Sequence, residues 1–282
     1  MTDKKKPVKK NKKNTKTRKS MTKRIIILVV SLVAVIGIGT EIFLISKTLG
    51  AQQAAVSSQT KKLNSEYSKE KLNKMDLPQL DKKIDSKKET KVIVDTSAGT
   101  MTFKVFNKLV PLGVENFLTH AKEGYYNGVQ FFRVVKDFMI QTGDPDNNGT
   151  GGHSIWFEKD TNKDSGTGFK NEIVPELYHI YGALSYANSG SDSSNGSQFF
   201  IVSNKQDVTS SITSKDSYPN KILDAYKKGG TPQLDGSYTV FGQLIDGFDV
   251  LKTIQDAQVT NNLQGEQSLP VSPVIINSIS VE

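Results

Sequence analysis

The chain of 282 residues contains no cysteine. Disulfides, thiolate metal sites, a cysteine nucleophile and a lipidated-cysteine anchor are thereby excluded. Histidine is nearly as scarce. His120, His153 and His179 are scattered and show no ligand spacing, so no zinc framework can be read from them. No Gly-x-Ser-x-Gly elbow occurs, which leaves hydrolase chemistry without its usual machinery. A phosphate-binding loop is missing too. Gly149-Thr150-Gly151-Gly152 is followed by neither Lys-Ser nor Lys-Thr, so its glycines read as a tight surface loop. Asp144-Pro145-Asp146-Asn147-Asn148-Gly149 opens like an EF-hand calcium loop. Its twelfth position, however, is Ile155 where the motif demands Glu, and Glu158 comes three residues late. No metal is expected.

An excess of positive charge is absent from most of the chain despite a net +8. Residues Met1 to Arg24 hold twelve Lys and Arg against the single acid Asp3. The remainder carries 25 basic and 28 acidic residues, a net of −3. The basicity is a tail, and the folded part offers no electrostatic match to a phosphate backbone, so no nucleic-acid partner is expected.

Directly after that tail comes a long hydrophobic run, Ile25 to Ile45, 21 residues dominated by Ile, Val, Leu, Ala and Gly. As a helix it spans roughly 30 Å, about one hydrocarbon thickness. Twelve preceding cations place Met1 in the cytoplasm and everything beyond Ser46 outside, by the positive-inside rule. A cleaved signal peptide is the rival reading. It fits less well, because the basic region is long and no A-x-A site occurs in Thr48 to Ser57. The expected organisation is a cytoplasmic tail (1–24), a single-pass anchor (25–46), a polar stalk (47–90) and an extracytoplasmic domain (91–282). The stalk assignment rests on a composition of Lys, Ser, Gln and Asn that cannot bury a core alone.

From Lys91 the pattern turns β-rich. Val92 to Thr96 and Thr102 to Phe106 read as strands joined by Ser97-Ala98-Gly99-Thr100. Pro111 to Ala121 reads as a helix, with Pro near its start and Val114, Phe117 and Leu118 on one face. Further strands are expected at Val129–Val135, Ala183–Tyr186, Gln198–Val202, Tyr238–Leu244 and Val274–Val281, with a second helix at Phe248–Asp256. Many short strands with two helices point to a mainly β fold, a closed antiparallel barrel with helices on its ends.

One stretch stands apart. Phe131-Phe132-Arg133-Val134-Val135-Lys136-Asp137-Phe138-Met139-Ile140-Gln141 sets a permanent cation among large apolar side chains. Arg is normally solvated or paired. Here it reads either as an outward strand residue or as a donor aimed into an apolar pocket. The cluster Gln198-Phe199-Phe200-Ile201 favours the pocket.

Together with Gln141-Thr142-Gly143-Asp144, Asn148 to Gly152, Leu184-Ser185-Tyr186-Ala187-Asn188, Asn195 to Ile201 and Val240-Phe241-Gly242, this stretch resembles the cyclophilin family of peptidyl-prolyl isomerases. The blocks occur in family order across Lys91 to Glu282. The resemblance implies an eight-stranded barrel capped by two helices. It implies Arg133 as the principal catalytic residue and Phe138, Met139, Phe200 and Leu234 as the proline pocket. Gln141, Ala187, Asn188 and Gln198 are then the residues that hold the peptide backbone. It also implies proline-containing polypeptides as clients and no cofactor. A holding or chaperone module using the same pocket is the alternative.

Two substitutions depart from the family pattern. Gln233 stands where many members have Trp, and Tyr238 where they have His. Tyr238 can still pack the pocket. Loss of the indole implies weak cyclosporin binding. The chain is also longer between Ser203 and Gln233, an insert around 204–232. Within it Pro219 to Lys228 reads as a short amphipathic helix that either docks a partner or adds packing.

Overall fold

The computed structural model describes residues 66–282. The tail and the hydrophobic run expected to anchor the chain lie outside the described residues. Among the described residues no helix is long and apolar enough to cross a membrane.

Strands β1 (Thr90–Thr96) and β2 (Gly99–Val105) form a hairpin in which Thr90 faces Val105 and Thr96 faces Gly99. Val92 and Val94 alternate with half-buried neighbours, the period of two that sends one strand face into a core. Helix α2 (Pro111–Lys122) starts on a proline, whose missing N–H costs nothing in the first turn. It buries Val114, Phe117 and Ala121. The Phe117 ring meets Phe199 edge-on at 5.3 Å and Phe241 at 5.1 Å. Strands β3 (Arg133–Val135), β4 (Met139–Thr142), β6 (Ala183–Tyr186), β8 (Phe199–Val202), β9 (Val240–Asp246) and β12 (Ile276–Val281) complete an eight-stranded antiparallel sheet. Its order is β12-β1-β2-β9-β6-β8-β4-β3. Helix α4 (Phe248–Gln255) buries Val250, Leu251 and Ile254. Two short ladders lie outside the sheet: β5 (Phe169–Lys170) with β7 (Ser193–Asn195), and β10 (Val259–Asn261) with β11 (Gln267–Pro270).

The expected closed barrel is corrected to a strongly curled sheet. No ladder joins β3 to β12. An isolated bridge, Gln130 to Ile275, spans the seam, flanked by single backbone bonds from Phe131 N–H to Val274 O at 2.9 Å, Gly128 N–H to Ile276 O at 2.7 Å and Ile276 N–H to Val129 O at 2.8 Å. Residues 128–131 approach β12 as irregular chain, so the strand expected from Val129 begins only at Arg133.

The stalk expected over 47–90 also differs where it is described. Residues 68–90 form a strap against the domain. Helix α1 (Lys69–Asn73) buries Leu72, and Leu77 joins a second apolar cluster with Tyr178, Ile180, Ile212, Tyr218, Ile222 and Tyr226. Gln79 is buried as well. Its amide donates to Tyr178 O at 2.8 Å and accepts from Tyr178 N at 2.7 Å. Lys69 Nζ donates to Tyr218 O at 2.5 Å. Sequence composition missed this because the few apolar residues of the strap meet partners in the insert, more than a hundred residues away. The expected insert helix is α3 (Asn220–Tyr226), with Ile222 and Tyr226 buried under the strap.

Candidate active site

The register of four strands assembles the site. Arg133 on β3 faces Gln141 on β4, Gln141 faces Phe200 on β8, and Phe200 faces Ser185 on β6. Directly opposed residues project from the same face, so the cation, the amide and the ring share one side of the sheet. Two residues before Gln141, Met139 lies on that side too. Its Sδ is 3.7 Å from Arg133 Nη1.

The Arg133 guanidinium is not solitary, as its sequence neighbours imply. Nε–H and an Nη2–H donate to the two oxygens of Glu266 at 2.6 and 2.7 Å, a bidentate pair. Nη1–H donates to Gln141 Oε1 at 3.1 Å. Gln141 Nε2 in turn donates to Gln198 Oε1 at 2.9 Å, and Gln198 Nε2 to Gly151 O at 2.8 Å. A polar line thus runs from Arg133 across the sheet to the glycine loop. Glu266 was missed at the sequence level. It sits in a polar turn with no periodic signal, 133 residues from its partner. The arginine's hydrogen bonds hold its carboxyl below the usual glutamate range, against the opposing effect of burial.

The apolar wall is built from Phe200 and Tyr238. The Phe200 and Tyr238 rings stand edge to face at 5.9 Å. Burial raises the Tyr238 hydroxyl, and the nearby Arg133 charge partly offsets this. Behind Phe200 the His179 ring stacks at 5.9 Å and 12°. His179 Nδ1 lies 2.8 Å from Asp235 Oδ1, and its Nε2 lies 3.1 Å from Ser185 Oγ. Tyr226 of the insert donates to Asp235 Oδ2 at 2.5 Å. This resembles a nucleophilic triad in composition only. Ser185 is fully buried and spends its proton on Thr239 O at 3.0 Å. The array is a support that fixes the back of the pocket, and sequence reading missed it.

Leu234 lies half-buried on the short turn Pro232–Leu234 leading to β9, and Gln233 beside it is exposed. On the other side a groove of about 350 Å³ is lined by Gln141, Ala187, Asn188 and Gln198 together with the glycine loop. Ala187 N–H donates to Gln198 O at 3.0 Å. The Asn188 amide is engaged with Ser237 O at 3.1 Å. Eight of the ten expected site residues therefore fall on one connected surface or its walls, with Phe138 and Leu234 packed against the core beside it.

The glycine loop owes its shape to Asp144, whose carboxylate accepts from the N–H groups of Asp146, Asn148, Gly149 and Gly151. That accounts for the calcium-like sequence pattern as a loop clamp. Gly143 starts the loop at φ +87°, where a Cβ would lie 2.5 Å from Ser197 O. Only glycine fits there.

The family described as "Cyclophilin type peptidyl-prolyl cis-trans isomerase/CLD" matches residues 91–281. A protein of Staphylococcus aureus (strain COL) named "Putative peptidyl-prolyl cis-trans isomerase" is 47% identical over 209 residues, covering 73% of this chain and 98% of the relative. A protein of Staphylococcus epidermidis (strain ATCC 12228 / FDA PCI 1200) with the same name matches to the same extent. Among solved structures, a Cryptosporidium parvum cyclophilin type peptidyl-prolyl cis-trans isomerase is similar with a TM-score of 0.53 and 32% identity, covering 69% of this chain and 98% of that one. The same enzyme crystallised in the presence of the dipeptide Ala-Pro gives a TM-score of 0.52, also at 32% identity, covering 68% of this chain and 98% of that one.

Proposed function

Since the chain belongs to the cyclophilin-type peptidyl-prolyl cis-trans isomerase family, we propose that it rotates X-Pro bonds of polypeptides on the outer face of a membrane, with Arg133 as the catalytic residue. The observation that carries this reading is the guanidinium of Arg133 lying beside Gln141 and Met139, on the sheet face that also bears Phe200. A proline ring takes the apolar wall of Phe138, Met139, Phe200, Leu234 and Tyr238. The backbone on either side of it runs along Gln141, Ala187, Asn188 and Gln198.

The chemistry starts from the amide. Partial double-bond character sets a barrier of about 18–20 kcal/mol, while X-Pro bonds prefer trans only slightly. Uncatalysed exchange takes on the order of 10–100 s. Reaching milliseconds requires roughly 5–7 kcal/mol of transition-state stabilisation. As the bond twists, the proline nitrogen becomes pyramidal and regains its lone pair. A guanidinium N–H aimed at that nitrogen is attracted to the twisted form more than to either planar isomer, which is the differential binding that catalysis needs. The apolar wall strengthens this by keeping water from competing for the donor.

The membrane part of the proposal rests on the hydrophobic run Ile25 to Ile45 and the twelve cations before it. Protease added to intact cells is expected to remove the domain while sparing the tail.

The catalytic reading is tested with Arg133→Ala in the full chain, in a protease-coupled isomerisation assay. A loss of at least tenfold in kcat/KM with unchanged near-UV circular dichroism is expected, and unchanged activity overturns it. Cyclosporin is expected to inhibit weakly, because exposed Gln233 offers no indole face. Nanomolar inhibition would contradict that.

A further inference from the structure

We infer that Glu266 is the positioning residue for Arg133, and that the β10–β11 turn exists to hold it there. The inference rests on the isomerase reading above and adds a residue to it. A free arginine samples many rotamers about its flexible stem, and an ordered fork loses less on engaging a target. Here the fork is ordered in advance. Of the five N–H groups of the guanidinium, one on Nε and one on Nη2 are held by Glu266, and one on Nη1 by Gln141. Nη1 also meets the weak acceptor Met139 Sδ at 3.7 Å, so the N–H left over is on Nη2, in a plane fixed from two directions.

Glu266 is itself held. Asn262 Oδ1 accepts from the N–H of Gln264 at 3.0 Å and of Glu266 at 2.9 Å, and Asn262 N donates to Glu266 O at 2.8 Å. Gly265 turns the chain at φ +81°. Asn262 Nδ2 donates to Ser268 Oγ at 3.2 Å, and the buried Ser268 hydroxyl hydrogen-bonds the Glu266 carboxylate. The order of support is therefore Asn262, Ser268, Glu266, Arg133. A buried serine and a side-chain-clamped turn thus converge on one half-exposed carboxylate.

The opposite role is physically possible in the same geometry. A carboxylate on the guanidinium also lowers the positive potential offered to the substrate, so the pair could restrain the enzyme. The two roles give opposite signs. Positioning predicts that Glu266→Ala lowers kcat about tenfold, within the roughly hundredfold that a 1 Å misplacement can cost, with KM changed less than about twofold. It also predicts that the downfield 1Hε–15Nε resonance of Arg133 broadens or is lost, which a general loss of stability would not cause. Glu266→Gln, which keeps the volume and one acceptor, is expected to fall between the two. Gln264→Ala, exposed in the same turn, is the control and keeps wild-type kcat. Unchanged or raised kcat in both Glu266 variants overturns the inference. If Glu266→Ala fails to fold, Glu266→Gln decides alone, and wild-type kcat in it is overturning. Absence of turnover in the wild-type chain would instead remove the isomerase reading, with the Hε resonance still reporting the pair.

Discussion

Two cation–carboxylate pairs of this domain can be set side by side. Lys104 and Glu89 meet at 3.1 Å with side chains 1% and 6% exposed, and Lys104 Nζ also donates to Lys83 O at 2.9 Å. Arg133 and Glu266 meet at 2.6 Å with side chains 29% and 39% exposed. The first pair lies where the strap crosses β2, on the sheet face turned from the core. The second lies beside Gln141 and Met139, at the mouth of the proposed proline pocket. Burial separates their consequences. A pair taken out of water is costly to break because the survivor is left uncompensated. A pair left in water contributes little to stability, so whatever Arg133 and Glu266 do for the molecule must be sought in geometry and chemistry.

That contrast can be put at risk by measurement. The largest effect is expected for Lys104→Ala, which strands Glu89 and should lower unfolding free energy in urea by about 3–5 kcal/mol while kcat per folded molecule stays unchanged. Lys104→Met with Glu89→Leu in the same chain should recover most of that loss, since buried pairs exchange well for apolar residues. Failure to recover would assign the effect to the strap's path instead of to charge. Next comes Tyr226→Phe, which removes a donor from buried Asp235 and should cost about 1–3 kcal/mol, again by urea titration. Arg133→Ala should cost below about 1 kcal/mol, the inverse of its effect on activity. A larger loss would erase the distinction between the pairs.

The smallest effect is a dependence on pH. His120 is buried, which lowers its pKa from 6.5. Its Nε2 is 3.0 Å from His153 O, and Nδ1 has no partner among the described residues. The unfolded chain therefore takes up a proton that the fold rejects, and stability should decline as pH falls from 6.5 towards the lower folded value. Thermal unfolding at pH 7.5 and 5.5 should show the decline, and His120→Gln should reduce it. The depressed carboxyl of Glu266 acts in the same direction further down. Its contribution is present above the ordinary value of 4.5 and disappears as pH drops through the folded one.

Where local pattern and tertiary fate agree, the sequence is readable. Alternation marks β1 and β2, an apolar stripe marks α2 and α4, and motif order brings Arg133, Gln141, Gln198 and Phe200 to one face. Long-range partners leave no local trace. Leu72, Leu77 and Gln79 sit in a polar stretch; Leu77 is buried by the insert together with Tyr178 and Ile180, and Gln79 by Tyr178 and Gln243. Burial alternates along β11, but its buried positions are Ser268 and Pro270 while Leu269 is exposed, so no hydropathy pattern marks the hairpin and Glu266 stays hidden. The barrel seam escapes for a similar reason. Residues 128–131 carry the apolar pattern of a strand, but they meet β12 through scattered hydrogen bonds and not a ladder.

The strap also sets how the domain answers a pull. Tension applied from the N-terminal side does not reach the sheet directly. It first peels Lys69 from Tyr218, then Gln79 from Tyr178 and Gln243, and then Lys83 and Glu89 from buried Lys104, contacts met one after another along the chain. Only then does it load β1, which is laced to β2 on one side and β12 on the other. Drawing β1 out along its axis means shearing both ladders at once. The fold thus extends in steps before a stiff stop, and because Leu77 packs in one cluster with Tyr226, the donor to Asp235, peeling the strap also uncovers the support behind Phe200.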